Sequence, residues 1–350
     1  MPISPARLVA FDTLRRVHEG AFASDLLLAK SKELDSRDAG LASEIVFGCL
    51  RRQMQLDYVI DRLAARGRLD IEVRIALRMG VYQIRHLDRV PRHAAVDESV
   101  ELVKRARKRS AAGLVNAVLR KADGGSMDWP DRATSLSCPQ WLLDRWDAEF
   151  TPNVADGIAG AFLEPPESYV ASTGRVQDIG SQWVVSLLDL HPGQTFLDLC
   201  AAPGNKTAQA LEHGIQAVAC DLHLHRLRNV PAENCLRVAL DGTVALPFEA
   251  LFDRILVDAP CSGTGTLGRN PEIKWRLKPS DLLDLHERQV KLLCNAMRHL
   301  RPGGRIVYST CSLECEENEE VVAAAPGAWG IARRIPGQDA GDGFFAAMLG

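Results

Sequence analysis

The residues with the clearest chemical content lie between Asp258 and Gly265, a stretch reading DAPCSGTG. An acid, Asp258, and a thiol, Cys261, are separated by Ala259 and Pro260. Pro260 fixes φ and stiffens the backbone between them. Gly263 and Gly265 let the chain turn where a side chain would clash. The apolar run Ile255–Val257 precedes the stretch, so acid and thiol sit at the end of an expected strand. A rigid acid plus thiol in that place suits the grip on a flat heterocycle. A lone Cys in such a turn is more often an inert core residue, so the reading depends on its company.

A second thiol keeps it company. Cys311, in STCS, also follows an expected strand, so both sulfurs could face one pocket. Methylation of carbon 5 of a cytosine would use such groups. Carbon 5 is a poor nucleophile until a thiolate adds to carbon 6 and breaks the aromatic system. The reaction then needs a nucleophilic Cys, a group at the ring nitrogen, and a base. The thiol must ionise against an ordinary pKa of about 8.5. Asp258 is assigned to the ring nitrogen and amino edge of the base. Spacing does not rank Cys261 against Cys311 as nucleophile.

Leu197–Thr207, LDLCAAPGNKT, runs from an expected strand through a tight turn into a helix. The small residues Ala201, Ala202 and Gly204 let a ligand approach the backbone, and the helix start adds N–H donors. The pattern is neither a Walker loop nor GxGxxG. Asp221 ends the next strand, 23 residues after Asp198, an offset that suits ribose hydroxyls. Asp241 ends the third, where an acid can receive an adenine amino group. Each Asp alone reads as a cap or turn residue. The series Asp198, Asp221, Asp241 and Asp258 argues for a nucleotide-like ligand.

These groups need a sheet to position them. Short branched runs at Phe196–Leu199, Ala217–Cys220, Arg237–Leu240, Ile255–Val257 and Arg305–Tyr308 alternate with helical stretches. Alternation of this kind implies a parallel sheet with helices on both faces. Ligands then bind beyond the carboxyl ends of the strands, where the motifs lie. Residues 4–121 read differently. Leu8, Phe11, Leu14 and Val17, then Leu41, Ile45, Val46 and Leu50, recur at helical spacing. Ile71–Tyr82, Val96–Val103 and Leu114–Leu119 continue the pattern, so this part is expected to be all helical. Gly124, Gly125 and Pro130 mark a break, and one helix is expected over Trp141–Phe150.

The net charge of −3 is unevenly spread. Residues 1–125 carry 23 Lys+Arg against 16 Asp+Glu, a net of +7, which leaves −10 for the remainder. A basic first part points to an anionic partner such as RNA. Its densest run is Lys104, Arg105, Arg107, Lys108 and Arg109, and Arg51, Arg52, Arg120 and Lys121 could extend the positive face. Arg269, Lys274 and Arg276 could touch phosphates, although exposed charges of this kind are commonly just solvated. Glu316, Glu317 and Glu319 are explained by a helix start whose dipole favours acids. No membrane-spanning run, signal peptide or C-x-x-C is present, and the nine Cys are scattered. A cytoplasmic protein without structural metal or a disulfide framework is expected.

CAAPGNKT, DAPCSGTGTLGRNPEIKW and YSTCSLECEENE resemble the signatures of RNA 5-methylcytosine methyltransferases that use S-adenosylmethionine. Within them the chain is most similar to the bacterial 16S rRNA group with a NusB-like domain. LASEIVFGCLRRQMQLDYVI, LRMGVYQIRHLDRVPRHAAVDESVELVKRA and LVNAVLR resemble that helical domain. The resemblance implies an α/β Rossmann-like catalytic domain over 176–350 and an all-α NusB-like RNA-binding domain over 1–125. It implies cofactor contacts at Cys200, Ala201, Ala202, Pro203, Gly204, Asn205, Lys206, Asp221, Asp241 and Asp258. It also ranks the thiols: Cys311 as nucleophile, Cys261 in breakdown of the covalent adduct. Lys206 is expected to position the site or lower a thiol pKa. Asp342–Phe345 resembles the closing strand motif. A monomer acting on 16S rRNA is expected.

Two departures stand out. Asn205 occupies a place where the family usually has Gly; Asn tolerates positive φ, but its side chain could crowd the cofactor. A segment of strands and helix that contacts RNA is largely missing from 126–175, which is left as a linker. Both would also suit an RNA-binding assembly or antitermination-like factor with an inactive catalytic half. The intact Asp258, Cys261 and Cys311 argue for the enzyme.

Overall fold

The computed structural model describes residues 3–64, 67–122, 125, 127–171 and 173–350. Gly124, one mark of the expected break, lies outside them. The chain divides into two compact units: Met1–Pro165 with Leu267–Arg276, and Pro166–Thr266 with Leu277–Gly350.

The first unit is helical. Its helices run over Pro5–His18, Ala23–Ser31, Ser36–Arg51, Gln53–Leu63, Ile71–His86, Arg92–Arg105 and Ala112–Lys121. The apolar residues at helical spacing face inward: Phe11, Leu14, Ile45, Val46, Leu77 and Leu119 are all buried in one core. Local chemistry sets the ends. Pro5 opens the first helix where a missing N–H costs nothing. Asp35 caps the third by accepting from the Asp38 amide at 2.8 Å.

Residues 132–161, left above as part of a linker with one helix over Trp141–Phe150, form three helices, Arg132–Leu136, the expected one at Gln140–Glu149, and Pro152–Ala161. They belong to this unit because Leu142, Leu143, Trp146 and Ile158 make an apolar face that is fully buried. The stretch Leu267–Arg276 belongs here too. The Lys274 ammonium donates to the Arg51 carbonyl at 2.8 Å, the Trp275 indole to the Leu50 carbonyl at 2.8 Å, and the Arg51 guanidinium to the Gly268 carbonyl at 2.8 Å.

The second unit is built on one seven-stranded sheet. Its strands are β1 (Thr195–Asp198), β2 (Gln216–Asp221), β3 (Cys235–Ala239), β4 (Phe252–Asp258), β5 (Leu300–Thr310), β6 (Ala328–Arg334) and β7 (Phe344–Leu349). The order is β3-β2-β1-β4-β5-β7-β6. β1 to β5 are parallel, whereas β7 is antiparallel to both β5 and β6. The sheet is therefore mixed. Antiparallel neighbours need no helical crossover, so helix–strand alternation does not announce them.

Period-two alternation distributes the core. Leu197, Ile255, Val257, Ile306 and Tyr308 pack on one face against Leu292, Leu293 and Ala296 of the helix Pro279–Met297. Phe196, Leu256, Val307 and Ala346 pack on the other, against Val184, Val185 and Ala210. Strand order reverses between β1 and β4. That switch point opens a crevice at their carboxyl ends, where Asp198 and Asp258 stand. Ahead of the helix Ile179–Ser186, Val170 forms an antiparallel bridge with Val176.

Candidate active site

Asp258 is the last residue of β4 and pairs in register with Ser309 of β5. Its Oδ1 accepts from Ser309 Oγ at 2.8 Å and its Oδ2 from Lys206 Nζ at 2.7 Å. Lys206 comes from the helix Asn205–Leu211, which starts directly after the CAAPG turn. Burial pulls the Lys206 ammonium down, but the Asp258 charge and hydrogen bond, aided by the charges of Cys311 and Asp198, raise it above its ordinary value. The lysine is thus a charged donor inside the crevice. Each Asp258 oxygen keeps a lone pair for a further donor, such as an exocyclic amine.

The two thiols meet. Cys261 Sγ lies 3.4 Å from Cys311 Sγ, within hydrogen-bond distance. Their serine neighbours meet as well, with Ser262 Oγ 3.1 Å from Ser312 Oγ. Backbone contacts hold the loops together: the Gly265 amide donates to the Cys311 carbonyl at 2.9 Å and the Gly343 amide to the Gly265 carbonyl at 2.7 Å. A Cβ on Gly265 would stand 2.6 Å from the Gly343 oxygen and 2.8 Å from the Cys311 oxygen. Glycine is needed there for close approach.

The Cys261 thiol is pushed up, first by its hydrogen bond to Cys311, then by burial and the charges of Cys311 and Glu317. Burial likewise pushes the Cys200 thiol well up and the Cys220 thiol to about 12, which leaves both un-ionised. Among the described residues no group of His, Cys, Asp and Glu is arranged to hold a metal ion, and no helix is long and apolar enough to cross a membrane.

Cys200, Ala201, Ala202, Pro203, Asn205 and Lys206 line one cleft with Asp198 and Asp258. Gly204 shapes it with φ of +113°, against Val230. The positive φ therefore falls on Gly204, whereas Asn205 opens the helix with an exposed side chain. Asn205 is not the residue that has to tolerate the turn. Asp198 is buried, and its Oδ2 accepts from Thr207 Oγ1 at 2.7 Å while its Oδ1 has no hydrogen-bond partner. Burial raises Asp198 to about 7, opposed by Thr207 and reinforced by Asp258.

Asp221 and Asp241 do not line this cleft. Asp221 ends β2, buried, and accepts from the His223 amide at 3.0 Å beside Arg226. Asp241 is exposed, and its Oδ1 accepts from the Thr243 amide and hydroxyl.

Three charge expectations change. Lys274 is buried rather than solvated, and Arg276 donates to the Gly20 carbonyl at 2.9 Å. Arg51 is buried and Arg52 pairs with Glu164 at 2.7 Å, so neither extends a positive surface. In the run after Val103, Lys104 and Lys108 pair with Glu101 and Asp70, while Arg105, Arg107 and Arg109 are exposed.

Glu317 was missed. Assigned above to a helix dipole, it is completely buried and accepts from the Ser262 amide at 2.8 Å and from Gln289 Nε2 at 2.9 Å. Ser262 Oγ and Ser312 Oγ also donate to it. The signal available was the repeated Cys-Ser pair, at 261–262 and 311–312.

A sheet with a reversed seventh strand, a small-residue turn at the switch point and an acid–thiol site beside it define a methyltransferase catalytic domain of the S-adenosylmethionine-dependent class. Comparison with known proteins narrows the class. The 16S rRNA methyltransferase RsmB/F family profile matches residues 185–327, and the NusB family profile matches residues 4–123. Ribosomal RNA small subunit methyltransferase B of Erwinia tasmaniensis is 31% identical, with 98% of each chain covered. The probable ribosomal RNA small subunit methyltransferase B of Bacillus subtilis is 30% identical over 93% of this chain and 88% of that one. The chain belongs to the RsmB/F 16S rRNA methyltransferase family.

The alignment to the E. tasmaniensis protein extends over 421 positions although this chain has 350 residues, so that relative carries internal stretches absent here. Among solved structures, PH0851 superposes with a TM-score of 0.79 at 21% identity, covering 100% of this chain and 99% of that one. A methyltransferase homolog from Pyrococcus horikoshii gives 0.52 at 22% identity, covering 62% and 96%. Both likenesses concern the fold.

Proposed function

We propose that the protein transfers a methyl group from S-adenosylmethionine to carbon 5 of a cytosine in 16S rRNA, through a covalent adduct on Cys311. The observation that carries this reading is the meeting of two thiols beside the Asp258–Lys206 pair, at the switch point of the sheet. The donor set of the cleft fits the cofactor. Buried Asp198 with a free oxygen, and Asp258 beyond it, offer anions to a ligand bearing a sulfonium and an ammonium. Asp221 and Asp241, at the ends of the next two strands, are proposed to hold the ribose and adenine.

When bound, S-adenosylmethionine supplies an electrophilic methyl group to a carbon 5 that thiol addition has made nucleophilic. The residues do the rest. Cys311, within the field of the Lys206 ammonium, adds its sulfur to carbon 6 as a thiolate. Asp258 receives the amino edge and steadies the ring nitrogen as it gains a proton. A base then takes the carbon 5 proton, the ring double bond re-forms, and the electron pair of the carbon–sulfur bond returns to Cys311. Cys261, 3.4 Å away, stands at the distance from which its S–H can donate to that sulfur.

The target base must leave its stack to reach the site. The substrate is RNA; its assignment as 16S rRNA, action in the cytoplasm and a monomeric state are part of the proposal. The test is transfer of labelled methyl to unmodified 16S rRNA, with bisulfite mapping of rRNA from cells with and without the gene. A cytosine that loses protection when the gene is absent is the expected result. RNA binding without transfer by the wild-type protein would favour the assembly-factor reading instead.

A further inference from the structure

Glu317 is buried without any cationic partner among the described residues. Four neutral donors satisfy it: the Ser262 amide and hydroxyl, the Ser312 hydroxyl and the Gln289 amide. Gln289 also donates to the Pro260 carbonyl at 2.9 Å, and the Glu317 carbonyl accepts from Tyr308 at 2.6 Å. Asn318, its neighbour, accepts from Thr310 Oγ1 and donates to the Ser312 carbonyl at 2.9 Å. One carboxylate thus ties the loop after β4 to the loop after β5. Hydrophobic packing alone would hold two loops without the desolvation cost of a buried charge.

The neighbours here are the two sulfurs, and their surroundings differ. Cys311 interacts with the Lys206 ammonium. Cys261 is subject to the negative charge of Glu317, and Tyr308 is coupled to Cys261, Glu317, Cys200 and Asp258. We propose that Glu317 is a positioning residue for the reaction: it locks the loops carrying Cys261 and Cys311 at hydrogen-bond distance and keeps Cys261 the protonated partner of the pair. The anion beside Cys261 favours the protonated form of that thiol. Cys261 can then donate to Cys311 when the adduct breaks down. The inference rests on the reading of Cys311 as nucleophile.

The test compares wild type with Glu317→Gln in single-turnover reactions on unmodified 16S rRNA, following covalent protein–RNA adduct and released methylated RNA separately. Glu317→Gln keeps the shape and removes the charge. It is expected to form adduct but to release product about tenfold more slowly, and to alkylate at Cys261 with iodoacetamide at a lower pH than wild type does. Ser262→Ala, which removes one tie and leaves the charge, is expected to slow release less and to leave the pH of Cys261 alkylation unchanged. It serves alone if Glu317→Gln does not fold, and unchanged release in it then overturns the proposal. Equal loss of adduct formation and release in Glu317→Gln, with unaltered Cys261 alkylation, also overturns it. Adduct formation by Cys311→Ala would instead defeat the nucleophile assignment, and so separates the two failures.

Discussion

Cys261 and Cys311, fifty residues apart in the chain, meet sulfur to sulfur at 3.4 Å. Each follows a parallel strand, β4 and β5, and these strands are neighbours in the sheet. Adjacent parallel strands release their loops at the same edge, so two thiols distant in sequence share one site. The same edge carries Asp258, whose Lys206 partner arrives from the first turn of the helix Asn205–Leu211, after β1. Acid, cation and both sulfurs therefore converge because β1, β4 and β5 are consecutive in space.

Lys206 is expected to matter through charge. Replacing it with Met should leave Asp258 without its cation and Cys311 without a nearby positive field. Methyl transfer should fall about a hundredfold, the scale of a lost acid–base group. Adduct formation, followed separately from product release in single turnovers, should fall in parallel. Unchanged adduct formation would place the lysine's role elsewhere.

Gly265→Ala tests the loop contact. The added methyl would press on the Gly343 and Cys311 carbonyl oxygens, and backbone must move. Overpacking of this kind costs about 1–3 kcal/mol, measurable by denaturant unfolding. The strain falls on the loop that carries Cys311, so adduct formation should drop by more than cofactor affinity does.

Asp198 predicts a pH dependence with a definite sign. Its carboxyl is raised from 3.8 to about 7 by burial. The empty site therefore holds the proton more tightly than the unfolded chain. That contribution to stability is complete below the unfolded value and is lost as pH rises toward 7. A cationic ligand prefers the ionised form, so S-adenosylmethionine should bind about tenfold more tightly at pH 8 than at pH 6. Calorimetry on wild type and Asp198→Asn checks this; the variant should show a flat profile over that range.

Much of this was legible in the sequence. Leu197–Thr207 and Asp258–Gly265 fall on strand–turn junctions whose residue types are dictated locally, by small side chains and by proline. The helical periodicity before Lys121 needs only one apolar face. What was not legible depends on distant partners. The helix carrying Trp146 was legible, whereas its neighbours Arg132–Leu136 and Pro152–Ala161 were left as linker, because the partners that bury Ala133 and Ile158 are distant in sequence. Lys274 and Arg276 looked like surface charges because sequence does not reveal which carbonyls they reach. Glu317 looked like one acid in a run, and its four donors come from the two thiol loops and the helix Pro279–Met297. The closing strand β7 was announced by the Asp342–Phe345 resemblance, but its reversed direction was not, because a short antiparallel return carries no helix of its own.

The most direct measurement is covalent trapping on unmodified 16S rRNA with wild type, Cys311→Ala and Cys261→Ala, resolved on a denaturing gel. Cys311→Ala should form no adduct and no product, while Cys261→Ala should accumulate adduct and release little methylated RNA. Adduct accumulating in Cys311→Ala, with none in Cys261→Ala, would contradict the assignment of the attacking sulfur.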